Sequence, residues 1–306
     1  MTSTIVTTTI NPPTKAIQLY DSFDDWDLIV IGDIKTPQDY RLVNGTYVTP
    51  QEQDDYDHDL SDAIGWNCIQ RRNIGIAMAF ERGAERVALI DDDNIPLTNW
   101  RDNITVGKEI AVTSYTTDLE AFDPVGATNY SHLWHRGYPL ELLSQRDYTN
   151  KSSARVTVDI QASFWNGDPD VDAICRLEHA PECDFDSSTF PIHSGTCAPF
   201  NSQNTVIARS VLPFYFLYPY IGRMDDIWAS YYVQALGYSV VFTAPTVYQE
   251  RNEHNLLADF DAELIGYRNN LQLLRDLARD PEAIVSYLPG KSLRAWDLYR
   301  RHFRDA

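Results

Sequence analysis

The first hundred residues alternate between continuous apolar runs and segments with helical spacing. Ser3 to Ile10 is rich in Thr, Ile and Val, while Trp26 to Gly32 and Arg86 to Ile90 are apolar runs typical of strands covered on both faces. Between them, Lys15 to Tyr20 and Cys68 to Gly83 have the apolar spacing of helices. This alternation predicts an α/β fold with an open mixed, mostly parallel sheet flanked by helices.

The remainder of the chain continues with strands and then helices. The predicted strands are Glu109 to Tyr115, Val156 to Asp159, Asn204 to Ile207 and Tyr238 to Phe242, and the predicted helices are Met224 to Leu236 and Leu256 to Leu277. The acidic segment Pro50 to Asp62 is predicted to be a solvated loop. The aromatic run Leu212 to Tyr220 is either core or an oligomer face, so a homo-oligomer is an open alternative. We expect a catalytic domain over residues 1–254 and a helical C-terminal extension over 255–306, packed on or beside it.

Charge narrows the range of partners. The 306 residues include 25 basic and 44 acidic side chains, a formal net charge of −19, which disfavours nucleic-acid binding and docking on anionic membranes. An anionic substrate would need a local cation. The chain start lacks the pattern of a signal peptide and no run approaches the ~18 apolar residues of a membrane span, so we expect a cytoplasmic protein. The four cysteines fit no zinc or redox spacing and are predicted to be buried thiols.

An acidic triplet follows the predicted strand Arg86 to Ile90 directly. Ligands of such sheets bind beyond the carboxyl ends of the strands, and that is where Asp91, Asp92 and Asp93 would lie. Three adjacent carboxylates repel one another unless a divalent cation neutralises them, and Mg²⁺ or Mn²⁺ commonly binds a diphosphate together with one or two carboxylates. Alternate residues of an extended segment point the same way, so Asp91 and Asp93 could share one ion. The alternative is an acidic turn that caps the next helix.

Two later segments carry further candidates. Asp225 and Asp226, in IGRMDDIW, either begin a helix and interact with its dipole or bind sugar hydroxyls and move a proton. The segment Trp165 to Asp170 combines an aromatic ring with carboxylates and fits either a sugar-binding surface or a plain turn.

Four cations are candidate partners for a diphosphate in this acidic chain, although a surface ion pair is the alternative for each: Lys35, Arg71, Arg72 and Arg136. The chain has no GxGxxG, no GxxxxGK[ST], no GxSxG and no HExxH. We therefore expect neither NAD nor flavin as a cofactor.

Nine segments resemble a known family in the same order along the chain: TTTIN, WDLIVIGDIKTP, RRNIG, IDDDN, RGYPL, FWNGDPDVDA, FNSQNTVI, IGRMDDIW and PTVYQ. The family is that of the reversibly glycosylated polypeptides, the UDP-arabinopyranose mutases of plants. The match runs from about Thr7 to His254, and the first half also resembles the STELLO-type glycosyltransferase-like proteins. The resemblance implies a GT-A-like nucleotide-diphospho-sugar fold with Mn²⁺ or Mg²⁺ held by the acidic triplet.

The resemblance also assigns expected roles to individual positions. Asp91, Asp92 and Asp93 match the metal and diphosphate motif, and Arg136 lies in the segment where the family carries an arginine that can be glycosylated. Asp225 and Asp226 match a late acidic pair near the sugar. The residues expected to bind the nucleotide sugar are Thr9, Asn11, Asp33, Lys35, Arg71, Arg72, Trp165 and Asp168. Where the plant proteins have a late His, this chain has Gln249, so Gln249, His254 or water would complete the metal shell.

Three functions are compatible with these residues. The first is a flavin-independent, metal-dependent mutase that interconverts pyranose and furanose forms of a UDP- or GDP-sugar, for example UDP-arabinose or, as in related actinobacterial mutases, GDP-L-galactose. Asp225 or Asp226 would move protons, and Arg136 would act as a covalent or, slightly favoured, an electrostatic partner. The second is a glycosyltransferase with an outside acceptor, and the third is a non-catalytic nucleotide-binding scaffold.

Overall fold

One eleven-stranded sheet organises the chain in this computed structural model, which describes residues 2–250 and 255–304. The strands are β1 Ser3–Thr9, β2 Asp27–Gly32, β3 Thr46–Val48, β4 Arg86–Ile90, β5 Asn94–Pro96, β6 Glu109–Tyr115, β7 Lys151–Thr157, β8 Ile160–Gly167, β9 Ile192–Ser194, β10 Asn204–Ala208 and β11 Val240–Gln249. Their order is β3-β2-β1-β4-β10-β8-β11-β9-β6-β7, with β5 paired to β11.

Eight α-helices accompany the sheet within the described residues. They are α1 Lys15–Asp21, α2 Pro50–Tyr56, α3 His58–Ile64, α4 Arg72–Glu81, α5 Ala173–His179, α6 Asp225–Ala235, α7 Leu256–Leu277 and α8 Gly290–Arg300. Helix α4 packs on β1 and β2, α7 packs on α5 and α6, and α8 packs on α3.

The N-terminal strands form the parallel part of the sheet. β1 pairs in parallel with both β2 and β4, so Thr9, Gly32 and Ile90 end their strands at one edge. β10 then runs antiparallel between β4 and β8, and the sheet is mixed from there on. The open α/β sheet flanked by helices confirms the predicted fold class. Because the residues after β1, β2 and β4 meet at the same edge, polar side chains in those loops come together there.

The prediction of a loop over Pro50 to Asp62 is wrong, because strong local caps create two short helices. Thr49 and Glu52 form a capping box at the start of α2, and Pro50 occupies the first helical turn. Asp57 caps α3 by accepting a hydrogen bond from the Leu60 N–H at 2.9 Å. The acidic residues therefore lie on two helices whose buried positions are Gln53 in α2 and Leu60, Ser61, Ala63 and Ile64 in α3.

The region predicted as one strand from Val156 to Asp159 instead contains the end of β7, at Val156 and Thr157, and the two-residue connection to β8. Strand β8 continues through Trp165, which is 3% exposed and packs against Phe164 and Phe185. Trp165 therefore belongs to the core, and neither an exposed sugar platform nor a turn forms at this residue.

The run Leu212 to Tyr220 is buried except for the half-buried Pro213 and Phe214 and the exposed Tyr220, which favours the core interpretation over an oligomer face. All four cysteines are free, and Cys175 and Cys183 are buried as expected, whereas the other two are half-buried. None of the helices in residues 2–250 and 255–304 combines the length and the apolarity that a membrane span needs.

Candidate functional site

Two adjoining cavities open at the edge where β1, β2 and β4 end. The first, called here the strand-end cavity, has a volume of about 340 Å³ and lies between the loops that follow those strands. The second, the α6 cavity, has a volume of about 200 Å³ and lies against the start of α6. Ile69, Asp91 and Asp93 line both cavities. Asp91 and Asp93 of the acidic triplet, together with Ile69, therefore form the wall that the two cavities share.

Asp92 is oriented by the end of β1 rather than by the α6 cavity. Its Oδ2 accepts hydrogen bonds from the Thr9 hydroxyl at 2.5 Å and from the Asn11 side-chain amide at 3.1 Å. Its backbone carbonyl accepts the hydroxyl of Thr14, the N-cap of α1. After the triplet the chain enters β5, so no helix begins where the acidic-turn interpretation expected one.

Asp91 is bound to the first residue of α4. Arg72 Nη2 lies 2.7 Å from Asp91 Oδ1, and Arg72 Nη1 donates to the Ser202 carbonyl at 2.6 Å. Burial raises the pKa of Asp91, and Arg72 opposes that shift. Ser202 also donates its N–H to Asp226 Oδ2 at 2.9 Å. A chain of polar contacts thus connects the shared wall to the start of α6.

Arg136 lies at the centre of a buried ionic cluster. Its Nε donates to both carboxylate oxygens of Asp170, at 3.0 and 3.1 Å, and its Nη1 and Nη2 donate to the two oxygens of Asp226, at 3.0 and 3.2 Å. The Arg223 carbonyl accepts a further bond from Nη1. Burial by itself would lower the pKa of Arg136, but the two carboxylates raise it well above its usual value. The guanidinium is therefore charged and fixed by protein groups.

Asp225 differs from its neighbour because, within the described residues, no arginine forms a hydrogen bond or an ion pair with it. Its Oδ2 accepts a hydrogen bond from the Gln70 side chain at 2.7 Å. Burial, assisted by the charge of Asp226, raises the pKa of Asp225 to about 7. A carboxyl group with this pKa exchanges its proton near neutral pH, so Asp225 has the properties of an acid–base residue.

Amide side chains form one side of the α6 cavity. Gln203 lies between Asn94 and Gln249: its carbonyl accepts a hydrogen bond from Asn94 Nδ2 at 2.7 Å, and its side-chain amide donates to Gln249 Oε1. Gln249 lines the cavity, and its amide oxygen accepts this hydrogen bond, so its role as a metal ligand stays a prediction from the sequence. His254, the other proposed ligand, lies outside the described residues.

The residues expected to bind the nucleotide are only partly brought together. Thr9, Asn11 and Asp33 line the strand-end cavity, where Asp33 accepts hydrogen bonds from the Ile34 and Cys68 backbone amides.

Lys35 is exposed in the turn after β2 and is not among the residues that line either cavity. Asp168 forms an ion pair with Arg176 and likewise lines neither. These two expectations, together with the one for Trp165, differ from the structure because the side chains face other protein groups or solvent.

The arginines 71 and 72 line the strand-end cavity, but their guanidinium groups support the protein itself. Arg71 donates from all three nitrogens to Gln53, Ser61 and Gly65 and lies 3.3 Å from the centre of the Trp66 ring. Burial lowers the pKa of Arg71 to about 10, and the surrounding acceptors keep it charged. A phosphate could form hydrogen bonds with the Arg71 guanidinium only by displacing these contacts.

Sequence reasoning missed several residues of the α6 cavity: Gln70, Asp170, Ser202, Gln203 and Arg223. Asp170 belongs to the quoted segment FWNGDPDVDA, so only its role was missed. Ser202, Gln203 and Arg223 likewise belong to the quoted segments FNSQNTVI and IGRMDDIW, whereas Gln70 belongs to none of them. Their individual roles were missed because each acquires its role from a partner far away in the sequence.

The oxygen ligands of the acidic triplet fit a divalent cation whose coordination shell is completed by a bound ligand. In the described part of the chain, no three His, Cys, Asp or Glu side chains are grouped in a way that would by themselves hold a metal. Asp91 and Asp93 nevertheless present hard oxygen ligands on both cavities, whereas Asp92 is oriented by Thr9 and Asn11. One or two carboxylates are the protein ligands that Mg²⁺ commonly uses when phosphates and water complete its shell.

Sequence comparison identifies two plant proteins that are similar to this chain, while no protein-family model matches it. The protein named probable glycosyltransferase STELLO2 of Arabidopsis thaliana is 24% identical over 280 residues, which cover 80% of this chain and 35% of that protein. STELLO1 of the same plant is 23% identical with the same coverage. The chain spans about a third of the length of these curated relatives.

Among solved structures, the glucosyl-3-phosphoglycerate synthase of Mycobacterium tuberculosis superposes with a TM-score of 0.43 at 14% identity, covering 90% of this chain and 79% of the other. A structure described as a mycobacterial protein gives 0.44 at 12% identity, with coverages of 89% and 75%. By sequence, the chain is similar to glycosyltransferase-like proteins of plants.

Proposed function

We propose that this protein is a nucleotide-sugar-dependent enzyme of the glycosyltransferase type with a GT-A-like fold. The observation that carries the proposal is the shared wall of Asp91 and Asp93 between two cavities at the carboxyl ends of parallel strands. A nucleotide would occupy the strand-end cavity and its sugar the α6 cavity, with the diphosphate beside the wall. The similarity to probable glycosyltransferases supports the same reading.

The lining of the α6 cavity supports a polyhydroxylated ligand. Carboxylates of Asp225 and Asp226 and the amides of Gln203 and Gln249 supply acceptors and donors at several positions. Sugar hydroxyl groups both donate and accept, so they match such a mixed lining better than an apolar ligand would.

Asp91 and Asp93 would hold a divalent cation together with the diphosphate. The ion would supply positive charge where the leaving diphosphate develops negative charge. Among the chain's own residues, Arg72 favours the ionised form of Asp91, which keeps this carboxylate available as a ligand.

The proposed reaction begins with cleavage of the anomeric C–O bond, whose electron pair leaves with the diphosphate. In the mutase version a hydroxyl oxygen of the same sugar attacks the anomeric carbon, and the bond from that carbon to the old ring oxygen breaks. The diphosphate oxygen then bonds to the anomeric carbon again, so pyranose and furanose forms of the nucleotide sugar exchange. Asp225, with a pKa of about 7, would take the proton from that hydroxyl and return one to the ring oxygen that becomes free.

Arg136 would act electrostatically. Its guanidinium donates to Asp170 and Asp226 and stays protonated, which leaves no lone pair for a covalent bond.

The size of the α6 cavity favours the mutase over a transferase. Its volume of about 200 Å³ is below the roughly 300–1,000 Å³ of pockets that enclose drug-sized ligands, which suits one sugar ring better than a sugar with a large acceptor. The glycosyltransferase is the second candidate, because the relatives that share sequence with this chain carry that name.

Incubation with UDP- or GDP-sugars and Mn²⁺, without an acceptor, distinguishes the candidates by NMR. A mutase interconverts the ring forms, a transferase at most hydrolyses the donor slowly, and a scaffold binds without turnover. Asp93→Asn should abolish metal-dependent turnover in both enzyme versions. Unchanged turnover in Asp93→Asn, or no joint binding of Mn²⁺ and nucleoside diphosphate by calorimetry, would contradict the proposed function.

A further inference from the structure

Arg223 is the cavity-lining cation whose side chain is most available to a ligand. Its side chain is 25% exposed and lines the α6 cavity, whereas those of Arg136 and Arg72 are 8% and 1% exposed. Its Nη2 lies 3.8 Å from Asp170 Oδ1, which is beyond hydrogen-bond distance. This nitrogen therefore has donors to offer to an anionic oxygen in the cavity.

Helix α7 determines where this guanidinium lies. Arg223 Nε donates to Glu263 Oε1 at 2.8 Å, and Nη1 donates to Asp259 Oδ1 at 3.3 Å. Glu263 is fully buried and also accepts the backbone N–H of Ala173 at 2.7 Å and the hydroxyl of Tyr267. The carboxylate of Glu263 therefore ties Arg223 to the segment that leads into α5.

The backbone beside Arg223 is also seated on α7. Gly222 has φ of 61°, and a Cβ at this position would lie 2.1 Å from the carbonyl oxygen of Ala262. Only glycine permits this close approach. The helix thus fixes both the main chain and the side chain that present Arg223 to the cavity.

The charge balance of the α6 cavity makes such a cation necessary for a phosphate. Within the described residues, five carboxylates and the guanidinium groups of Arg136 and Arg223 line the cavity, and Arg136 is saturated by protein acceptors. Arg223 Nη2 makes no hydrogen bond in that part of the chain, so it can donate to a phosphate oxygen.

We propose that Arg223 binds the sugar-bearing phosphate of the nucleotide diphosphate, and that Glu263 of α7 is its positioning residue. This inference rests on the proposed function and adds a substrate contact that the sequence did not indicate. Arg223 lines the α6 cavity but not the strand-end cavity, so it contacts the terminal phosphate and not the one next to the nucleoside.

The test is calorimetry on the full chain with Mn²⁺, using UDP and GDP and the matching monophosphates. Arg223→Gln should raise the Kd of the diphosphate about tenfold or more, since hydrogen bonds to charged groups are strong. The monophosphate lacks the phosphate in question, so its Kd should change less than about twofold. Arg223→Lys should recover part of the loss, and Glu263→Gln should weaken only the diphosphate, by less than Arg223→Gln does.

Arg275→Gln is the matched control, because Arg275 is in the last turn of the same helix and pairs with Glu120 at 2.7 Å outside both cavities. It should leave all affinities unchanged. If wild type binds diphosphate and Arg223→Gln binds it equally well, the inference is wrong and the proposed function stands. Equal weakening of monophosphate and diphosphate would assign Arg223 and Glu263 a structural role only. Failure of wild type to bind either nucleotide would overturn the proposed function and this inference with it.

Discussion

Replacing Arg136 with Gln tests whether the ionic cluster stabilises the fold through charge. The substitution removes the guanidinium that Asp170 and Asp226 share, so the charge of these two buried carboxylates is less well balanced. We expect the variant to fold, but with a lower melting temperature at pH 8 than wild type.

The magnitude follows from what the two carboxylates retain. Breaking a buried ion pair costs about 3–5 kcal/mol. Asp170 keeps the Asn201 amide at 2.8 Å, and Asp226 keeps the Ser202 N–H at 2.9 Å, so we expect the lower end, about 3 kcal/mol. At about 2 °C per kcal/mol for a chain of this size, the melting temperature should fall by about 6 °C.

The pH dependence identifies charge as the cause. Without the guanidinium, burial favours the protonated form of these two carboxylates in the folded variant more than in its unfolded chain. Its stability then falls, relative to wild type, as the pH rises, and the difference between the two proteins should be smaller at pH 5 than at pH 8.

Differential scanning fluorimetry at both pH values measures this difference, with Arg155→Gln as the control. Arg155 pairs with Glu109 at 2.8 Å, but both side chains are more than half exposed, so the control should change the melting temperature by about 1 °C or less. A loss below about 2 °C for Arg136→Gln, or an equal loss at pH 5 and pH 8, would refute the reasoning.

Three further predictions concern residues around the cavities. Burial raises the pKa of Asp225 to about 7, so wild type loses stability from this group as the pH rises from about 4 to 7. Asp225→Asn removes that loss, so the melting temperature of the variant should rise relative to that of wild type between pH 5 and pH 8. A difference that stays constant with pH would contradict the raised pKa. Gly222→Ala should cost about 2–3 kcal/mol in urea unfolding because its Cβ meets the Ala262 carbonyl, whereas Gly290→Ala, with no neighbour within 4 Å, should change stability by less than about 0.5 kcal/mol; similar costs would argue against the close packing on α7. Asp92→Ala should lower the free energy of unfolding by about 2 kcal/mol, because the side chains that donate to it at the end of β1 lose their acceptor; a neutral effect would show that they find water instead.

The sequence predicts elements well where one local pattern determines them. β1 is a run rich in Thr, Ile and Val, and β2 and β4 are continuous apolar runs. The predicted bounds of α7 agree with the structure because its apolar spacing persists over 22 residues. The prediction of a loop over Pro50 to Asp62 was wrong because the density of acidic residues was given more weight than the capping box of Thr49 and Glu52, which was present in the sequence. Strand β8 was missed where its Asn-Gly end resembles a turn.

The site is predictable only in part, because its groups come from distant positions. The triplet was identifiable from its place after β4, and Asp225 and Asp226 from their place before an aromatic helix. The contacts that give them their properties are not local: Arg136 and Asp226 are 90 positions apart, and Gln70 and Asp225 are 155 apart. Arg223 carries no motif of its own beyond the segment IGRMDDIW, and its partners Glu263 and Asp259 belong to a helix predicted as a separate extension.

Under the proposed function, a substitution of Asp91 or Asp93 would affect binding of both ends of a nucleotide sugar, because these residues line both cavities. Attempts to change the preferred base would then begin with Asn11 or Asp33, which line only the strand-end cavity, and attempts to change the sugar with Gln70 or Gln249, which line only the α6 cavity. Under the same proposal, selectivity for the base and selectivity for the sugar could be varied independently, as long as Asp91 and Asp93 are kept.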